Sequence, residues 1–348
     1  MILMPNKAWT VEGKDGFESL KFNRKGSVPE LGQHDVLVRF HYASLNYRDL
    51  IIPKGMYGFP QRDNVVPASD GAGTVEATGS RVTRFQKGDK VLTLFNQGHL
   101  AGPSTPAINN TGVGGMIDGT LCQYGAFNEQ GLVSMPETLS FQEGSTLSCA
   151  AVTAWNALYG LENRAVKPGD VVLTQGTGGV SMFALQFAKT AGATVIATTS
   201  SESKAQTLKK LGADHVLNYK TDQNWGATAK SLTPGKLGVH HVVEVGGPNT
   251  LAQSFKAIKI DGVISIIGFL GGMGRDQPSF LECLLNQCTV RGIFVGNRLQ
   301  FEDMNRAIDA NGIKPVVDEK VFSLEQAKDA YQYMWDQKHF GKLTIKID

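Results

Sequence analysis

The stretch Val171-Val172-Leu173-Thr174-Gln175-Gly176-Thr177-Gly178-Gly179-Val180-Ser181-Met182-Phe183-Ala184 holds the residue types that bind a phosphate. Its first residues form an apolar run that reads as a buried strand, and Val180, Phe183, Ala184, Phe187 and Ala188 recur at helical spacing. Between strand and helix, Gly176 permits a tight turn and Gly178 lets a pyrophosphate approach the backbone. Thr177, Gly179 and Val180 lead into the helix N-terminus, where unpaired amides and the helix dipole attract anions. Ser181 stands where a third glycine is usual and is small enough for close helix packing. The implied chemistry is dinucleotide binding. The next strand, Thr194-Val195-Ile196-Ala197-Thr198, runs into Thr199-Ser200-Ser201 and not into the acid that binds a ribose 2′-hydroxyl. Ser200 and Lys204 can donate to a 2′-phosphate, so NADP(H) is the expected cofactor, with Glu202 the nearest carboxylate.

A loop of this kind needs a parallel sheet behind it. Apolar runs at Val171–Thr174, Thr194–Thr198, His215–Leu217, Val242–Val245 and Val263–Ile267 alternate with helical patterns, one of them Ser201–Leu211. Parallel strands require crossover connections, so the alternation predicts a Rossmann-type, doubly wound parallel α/β sheet. The earlier part of the chain differs. Val36-Leu37-Val38-Arg39-Phe40, Gly71–Val75 and the turn Gly88-Asp89 entering Lys90-Val91-Leu92 predict a β-rich, barrel-like domain. Leu94 to Gly119 shifts to Asn, Gly, Pro and Thr and reads as a long surface loop of the kind that borders active sites. Ser140-Phe141-Gln142-Glu143 is a capping box that predicts a helix from about Ser140 to Leu158. A second box, Ser323-Leu324-Glu325-Gln326, precedes a stripe of Ala327, Ala330, Tyr331 and Met334, and Lys342 to Ile347 alternates as a closing strand expected to rejoin the N-terminal domain. The expected organisation is residues 1–149 with 298–348 as one domain and 150–297 as the other, with a cleft between them.

Composition narrows the partners. Lys and Arg total 34 against 32 Asp and Glu, and no basic run with interleaved aromatics follows a phosphate backbone, so nucleic acid is not an expected partner. The start, Met1-Ile2-Leu3-Met4-Pro5-Asn6-Lys7, lacks a charged leader with an apolar core, and nowhere do about 18 apolar residues run uninterrupted. The expectation is a soluble cytoplasmic protein without a membrane partner. Cys122, Cys149, Cys283 and Cys288 are too few and scattered for a disulfide framework, and no His stands near the last two to complete a zinc site.

Across nearly its whole length the chain resembles the medium-chain dehydrogenase/reductase superfamily. The resemblance rests on Ser44-Leu45-Asn46-Tyr47-Arg48-Asp49, Pro67-Ala68-Ser69-Asp70-Gly71-Ala72-Gly73, Gly88-Asp89-Lys90-Val91, the glycine loop, and Leu211-Gly212-Ala213-Asp214-His215-Val216-Leu217-Asn218-Tyr219. It implies a GroES-like, β-rich catalytic domain joined to the Rossmann domain. At the positions where the zinc alcohol dehydrogenases carry their catalytic Cys, His and Glu, this chain has Asn46, Ser69 and Asp70, and only Cys149 matches a ligand. A catalytic zinc needs about three protein ligands, so the chain resembles the zinc-free branch, with quinone oxidoreductases and enone reductases, and no metal is expected.

The resemblance further implies a set of site residues. Lys204 and Tyr219 would contact the adenosine phosphate, Glu244-Val245-Gly246 would line the cofactor site, and Gly268, Phe269, Phe294 and Val295 would flank the nicotinamide. Thr153 and Asn46 join the cofactor set. A homodimer through the edge strand Val290–Val295 is implied as well. Asn46 would donate to a substrate carbonyl, while Tyr47 and Tyr57 are candidate proton donors, and Arg48 and Asp49 are expected to hold their turn by an ion pair. The expected activity is hydride transfer from NADPH to a quinone or an α,β-unsaturated carbonyl. The alternatives are an NADP-dependent alcohol dehydrogenase or carbonyl reductase on the same site, and a non-catalytic NADPH-binding protein.

Overall fold

The computed structural model describes residues 5–272 and 277–348, so Met1 to Met4 of the start lie outside the described residues. The chain forms two compact units, Met1–Val152 with Asn297–Asp348, and Thr153–Gly296. Along the chain come β1 (Asn6–Val11), β2 (Leu20–Gly26), β3 (Asp35–Ser44), β4 (Asp70–Thr78), β5 (Lys90–Thr93), β6 (Tyr124–Asn128) and β7 (Leu132–Ser134). Then follow β8 (Val171–Gln175), β9 (Thr194–Thr199), β10 (His215–Asn218), β11 (Val239–Glu244), β12 (Ile258–Ile266) and β13 (Thr289–Gly292), and finally β14 (Val317–Ser323) and β15 (Lys342–Lys346).

The first unit is organised on β3, whose inward residues Val36, Val38 and Phe40 are fully buried. The sheet order is β14-β15-β3-β4-β5-β7, with β6 also pairing β3, and every pair is antiparallel except β14 with β15. The closing strand does return to the N-terminal sheet, setting Thr344 opposite Ser44. Its core gathers Phe40, Leu45, Leu50, Phe127, Leu343 and Ile345 with Ala327, Ala330 and Tyr331 of the helix Ala327–Trp335. That stripe is core packing, as its spacing demands.

The second unit holds one six-stranded sheet in the order β10-β9-β8-β11-β12-β13, parallel throughout. From β8 the chain winds outward through β9 and β10, and from β11 it winds the other way. The reversal between β8 and β11 opens the crevice in which doubly wound sheets bind ligands.

Three expectations need correction. The stretch from Ser140 to Leu158 is not one helix: the capping box starts a single turn, Phe141–Gly144, and a π-helical turn, Leu147–Ala151, precedes the helix Val152–Tyr159. Ser145 and Thr146 turn their hydroxyls back onto the carbonyls of Gln142 and Glu143, a local competition that loosens a helix. Leu94 to Gly119 is not purely a surface loop, because Leu94, Phe95, Asn96, His99 and Val113 are buried, and a short helical turn forms at Pro106–Asn109. The edge strand covers only Thr289–Gly292, and Ile293 to Val295 leave it in an irregular path on which Val295 has a φ of 57°.

Candidate active site

In the second unit β8 is buried along its whole length and delivers the chain to Gly176, whose φ of 73° is cheap only for glycine. Gly178 caps the helix Gly179–Thr190. A Cβ added at Gly178 would meet no atom within 4 Å, so the backbone there faces open space at a helix N-terminus. Ser181, in place of the third glycine, donates from its buried hydroxyl to the Gln175 carbonyl at 2.6 Å and ties the helix to the end of β8.

The neighbouring turn is fixed by a buried carboxylate. Glu244, at the end of β11, accepts from the Gly246 and Gly247 amides, both at 2.9 Å, and from the Thr250 hydroxyl at 2.6 Å, while its other oxygen accepts from Gln175 Nε2 at 2.7 Å. Gln175 Oε1 in turn accepts from the Val245 and Gly246 amides at 3.2 Å. Glu244 therefore shapes the ends of β8 and β11, and its carboxylate is committed to them. Gly268 and Phe269 follow β12 beside this turn, where Leu270 N–H bonds the Val245 carbonyl at 3.1 Å.

At the end of β9, Ser200 precedes the helix Glu202–Lys210, whose first turn carries Lys204 and whose cap is the Ser201 hydroxyl. The Tyr219 amide donates to the Thr199 carbonyl at 3.0 Å, which places Tyr219, 38% exposed, beside Ser200. The sheet thus gathers Gly176 to Val180 with Val245, Gly246, Gly268 and Phe269, and sets Ser200, Lys204 and Tyr219 along its β9 and β10 ends. Thr153 is buried at the start of the unit. Phe294 is half-buried, and the positive φ of Val295, costly for a β-branched residue, is held by Asn156 Nδ2, which donates to its carbonyl at 2.6 Å. Arg291 donates to Asn156 Oδ1 at 2.6 Å and fixes that amide.

In the first unit Asn46 begins the short helix Tyr47–Ile51, with its backbone N–H held by Asp49 Oδ2 at 2.8 Å. Its side chain, in a residue 8% exposed, meets Ser69 and Lys342, both of which bond Asp70. Lys342 Nζ donates to Asn46 Oδ1 at 2.6 Å, to the Leu45 carbonyl at 2.9 Å and to Asp70 Oδ2 at 3.3 Å. The Ser69 hydroxyl donates to Asp70 Oδ1 at 2.7 Å and accepts from Asn46 Nδ2 at 3.4 Å.

Arg48 does more than pair with Asp49, which lies 3.8 Å away. Its guanidinium sits 4.2 Å from the Phe95 ring centroid and donates to the Val113 carbonyl. Burial raises the Tyr57 phenol above its ordinary value while Arg48 pulls it down. Burial also lifts the Asp49 carboxyl to about 6, against the pull of Arg48, and pushes the Cys149 thiol up to about 12, helped by the Asp70 charge. Tyr47 lies parallel to the Trp335 ring with centroids 6.4 Å apart. Sequence reasoning missed Lys342, Gln175 and Asn156. A lysine opening an apolar strand gives only a faint hint of burial, and the other two act through pairings across the fold.

Residues 32–137 match the family model of an alcohol dehydrogenase GroES-like domain, and residues 179–310 that of a zinc-binding dehydrogenase. A zinc-type alcohol dehydrogenase-like protein of Schizosaccharomyces pombe is 48% identical over 336 residues, 96% of each chain. The 2-methylene-furan-3-one reductase of Solanum lycopersicum is 29% identical over 347 residues, 97% of this chain and 78% of that one. Among solved structures, a putative alcohol dehydrogenase from Sinorhizobium meliloti 1021 superposes with a TM-score of 0.89 at 40% identity, covering 100% of both chains. The two units, a GroES-like domain and a Rossmann-like sheet with its glycine loop, define an oxidoreductase of a family that works with a nicotinamide cofactor. The chain belongs to the medium-chain dehydrogenase/reductase superfamily.

Proposed function

We propose that the protein is a zinc-independent, NADPH-dependent reductase that delivers hydride to a quinone or an α,β-unsaturated carbonyl. The observation that carries this reading is the Lys342 ammonium, which bonds Asn46 Oδ1 and Asp70 Oδ2 where a zinc enzyme's ligands would stand. The residues present do not fit zinc. Two of the oxygens it would need are taken by a cation, and a dication beside that cation would be repelled. Among the described residues no three His, Cys, Asp or Glu side chains gather as a metal site.

A dinucleotide fits the second unit. Gly176 to Val180 would receive its pyrophosphate, Gly246 and Gly268 would line its path, and Thr153, Phe269, Phe294 and Val295 would frame its nicotinamide. Ser200, Lys204 and Tyr219, with no carboxylate at the end of β9, favour a 2′-phosphate. When bound, NADPH supplies the hydride. Asn46 donates to the acceptor's carbonyl oxygen and stabilises the charge that grows there. Tyr57 supplies the proton, and the pull of the Arg48 charge on its phenol eases that transfer. Tyr47, set against Trp335, shapes the wall. The name of the tomato relative, a reductase of a conjugated methylene ketone, supports the enone reading, and names of alcohol dehydrogenases among the relatives support carbonyl reduction as the second one.

The test is NADPH oxidation by metal-stripped protein with a quinone, a short enone and an aldehyde, repeated with Asn46→Ala. The expectation is metal-free turnover, a saturated ketone from the enone, and a kcat reduced about 100-fold in the variant with NADPH affinity unchanged. An allylic alcohol as product would move the assignment to carbonyl reduction. A full requirement for added zinc would overturn it.

A further inference from the structure

The Asn46 amide has two ends, and only its nitrogen can donate to a substrate oxygen. Which end faces the substrate is decided by what holds the other. Lys342 Nζ, in a residue 3% exposed, has donors only and sits 2.6 Å from Asn46 Oδ1, so the carbonyl end must point toward the ammonium. The nitrogen end is set independently. Asp70 Oδ1 takes the Ser69 hydroxyl hydrogen at 2.7 Å, which leaves the Ser69 oxygen as an acceptor for one Asn46 amide hydrogen at 3.4 Å. The second amide hydrogen has no acceptor among the described residues. A rotation of the amide by half a turn would set two donors, Nδ2 and Nζ, against each other and leave Oδ1 without a donor toward its buried side.

We infer that Lys342 is a positioning residue, which with Asp70 and Ser69 locks the Asn46 amide so that one N–H is presented to the acceptor's carbonyl oxygen. This rests on the reading of Asn46 given above. The lysine comes from β15 and Asn46 from the segment after β3, two strands paired in the same sheet, so the lock is built by strand register. The ammonium also neutralises Asp70, which is fully buried, and this lets the Ser69 end of the lock exist without an unpaired buried charge.

The experiment is a double-mutant cycle on kcat with the full-length protein and its best acceptor, using Asn46→Ala, Lys342→Met and the double variant, with Lys342→Arg as the conservative replacement. NADPH affinity and thermal midpoint are measured in parallel. Lys342→Met is expected to lower kcat about 50-fold with NADPH affinity unchanged. The double variant should lose no more than about twofold beyond Asn46→Ala, because the lysine acts through that amide. Lys342→Arg, which still offers donors to Oδ1 and Asp70, should recover most of the rate. Asn46→Asp guards against a Lys342→Met chain that fails to fold: it keeps an acceptor for the ammonium but has no N–H to present, so its kcat should fall as far as that of Asn46→Ala. Independent, multiplying losses in the cycle would overturn the lock while leaving Asn46 itself in place, whereas full activity in Asn46→Asp would remove the amide N–H from the mechanism altogether. Normal turnover by Asn46→Ala would overturn both.

Discussion

Single residues separate what the fold needs from what the chemistry needs. Gly178 is the clearest case. Its φ of −78° and ψ of 171° suit any residue, and a Cβ there meets nothing, so packing gives no reason for a glycine. The reason must lie in what approaches from outside. Gly178→Val is expected to melt within about 2 °C of the parent and to bind NADPH roughly 30-fold more weakly or worse, as isothermal calorimetry would measure. Unchanged affinity would remove the loop from the nucleotide site. Ser181 shows the limit of reading such a motif from sequence. Its small size was legible, but the bond from its hydroxyl to the Gln175 carbonyl was not, because a serine in a helix announces no partner six residues back. Lys342 was hidden for a similar reason: the alternation of β15 marks a strand, and nothing in it says that the first residue reaches Asn46.

At the scale of elements, periodicity carried the parallel sheet almost strand for strand, since alternating buried runs and helical stripes leave few other folds. It failed where local competition beat the pattern, as in the π-helical turn at Leu147–Ala151, which side-chain hydroxyls and Gly144 interrupt upstream. The opposite end of the same sheet holds a titratable cluster that no motif suggested. His240 and His241 of β11 lie 3.4 Å and 3.9 Å from the Asp170 carboxylate, and Lys259 Nζ is 3.2 Å from His240. Burial pushes the His241 imidazole down to about 4, with Asp170 pulling it up and His240 pressing it further down. The folded chain thus refuses a proton that the unfolded chain accepts below its ordinary value near 6.5. The stability that a neutral His241 confers is complete above that pH and is lost as pH falls toward 4, by roughly 3 kcal/mol. Urea unfolding of the parent at pH 7 and pH 4.5 should therefore show a larger drop than His241→Gln shows, and equal drops would mean that the acid sensitivity lies elsewhere.

For the whole molecule, the proposal of a homodimer gains support from two neighbouring features of the second unit. β13 closes the sheet with an outer edge that pairs with nothing among the described residues, and the turn just before it, Leu281–Leu285, exposes Leu281, Leu284 and Leu285 beside Phe280, which is 94% exposed. An open edge and an adjoining apolar patch are what a second copy of the chain would cover. Light scattering at micromolar concentration should give twice the chain mass, and Leu284→Lys with Leu285→Lys should give the monomer; a parent that stays monomeric would end the proposal. The return of β15 to the first sheet has a further consequence, for synthesis. The second unit is contiguous and can close while the ribosome is still working, whereas Asp70 waits for a lysine made 272 positions later, tens of seconds at about 5–20 residues per second. Until then the first unit lacks the strand between β3 and β14, and its buried acid has no counter-charge. The cluster around Asn46 is therefore completed only after the whole second unit has been made.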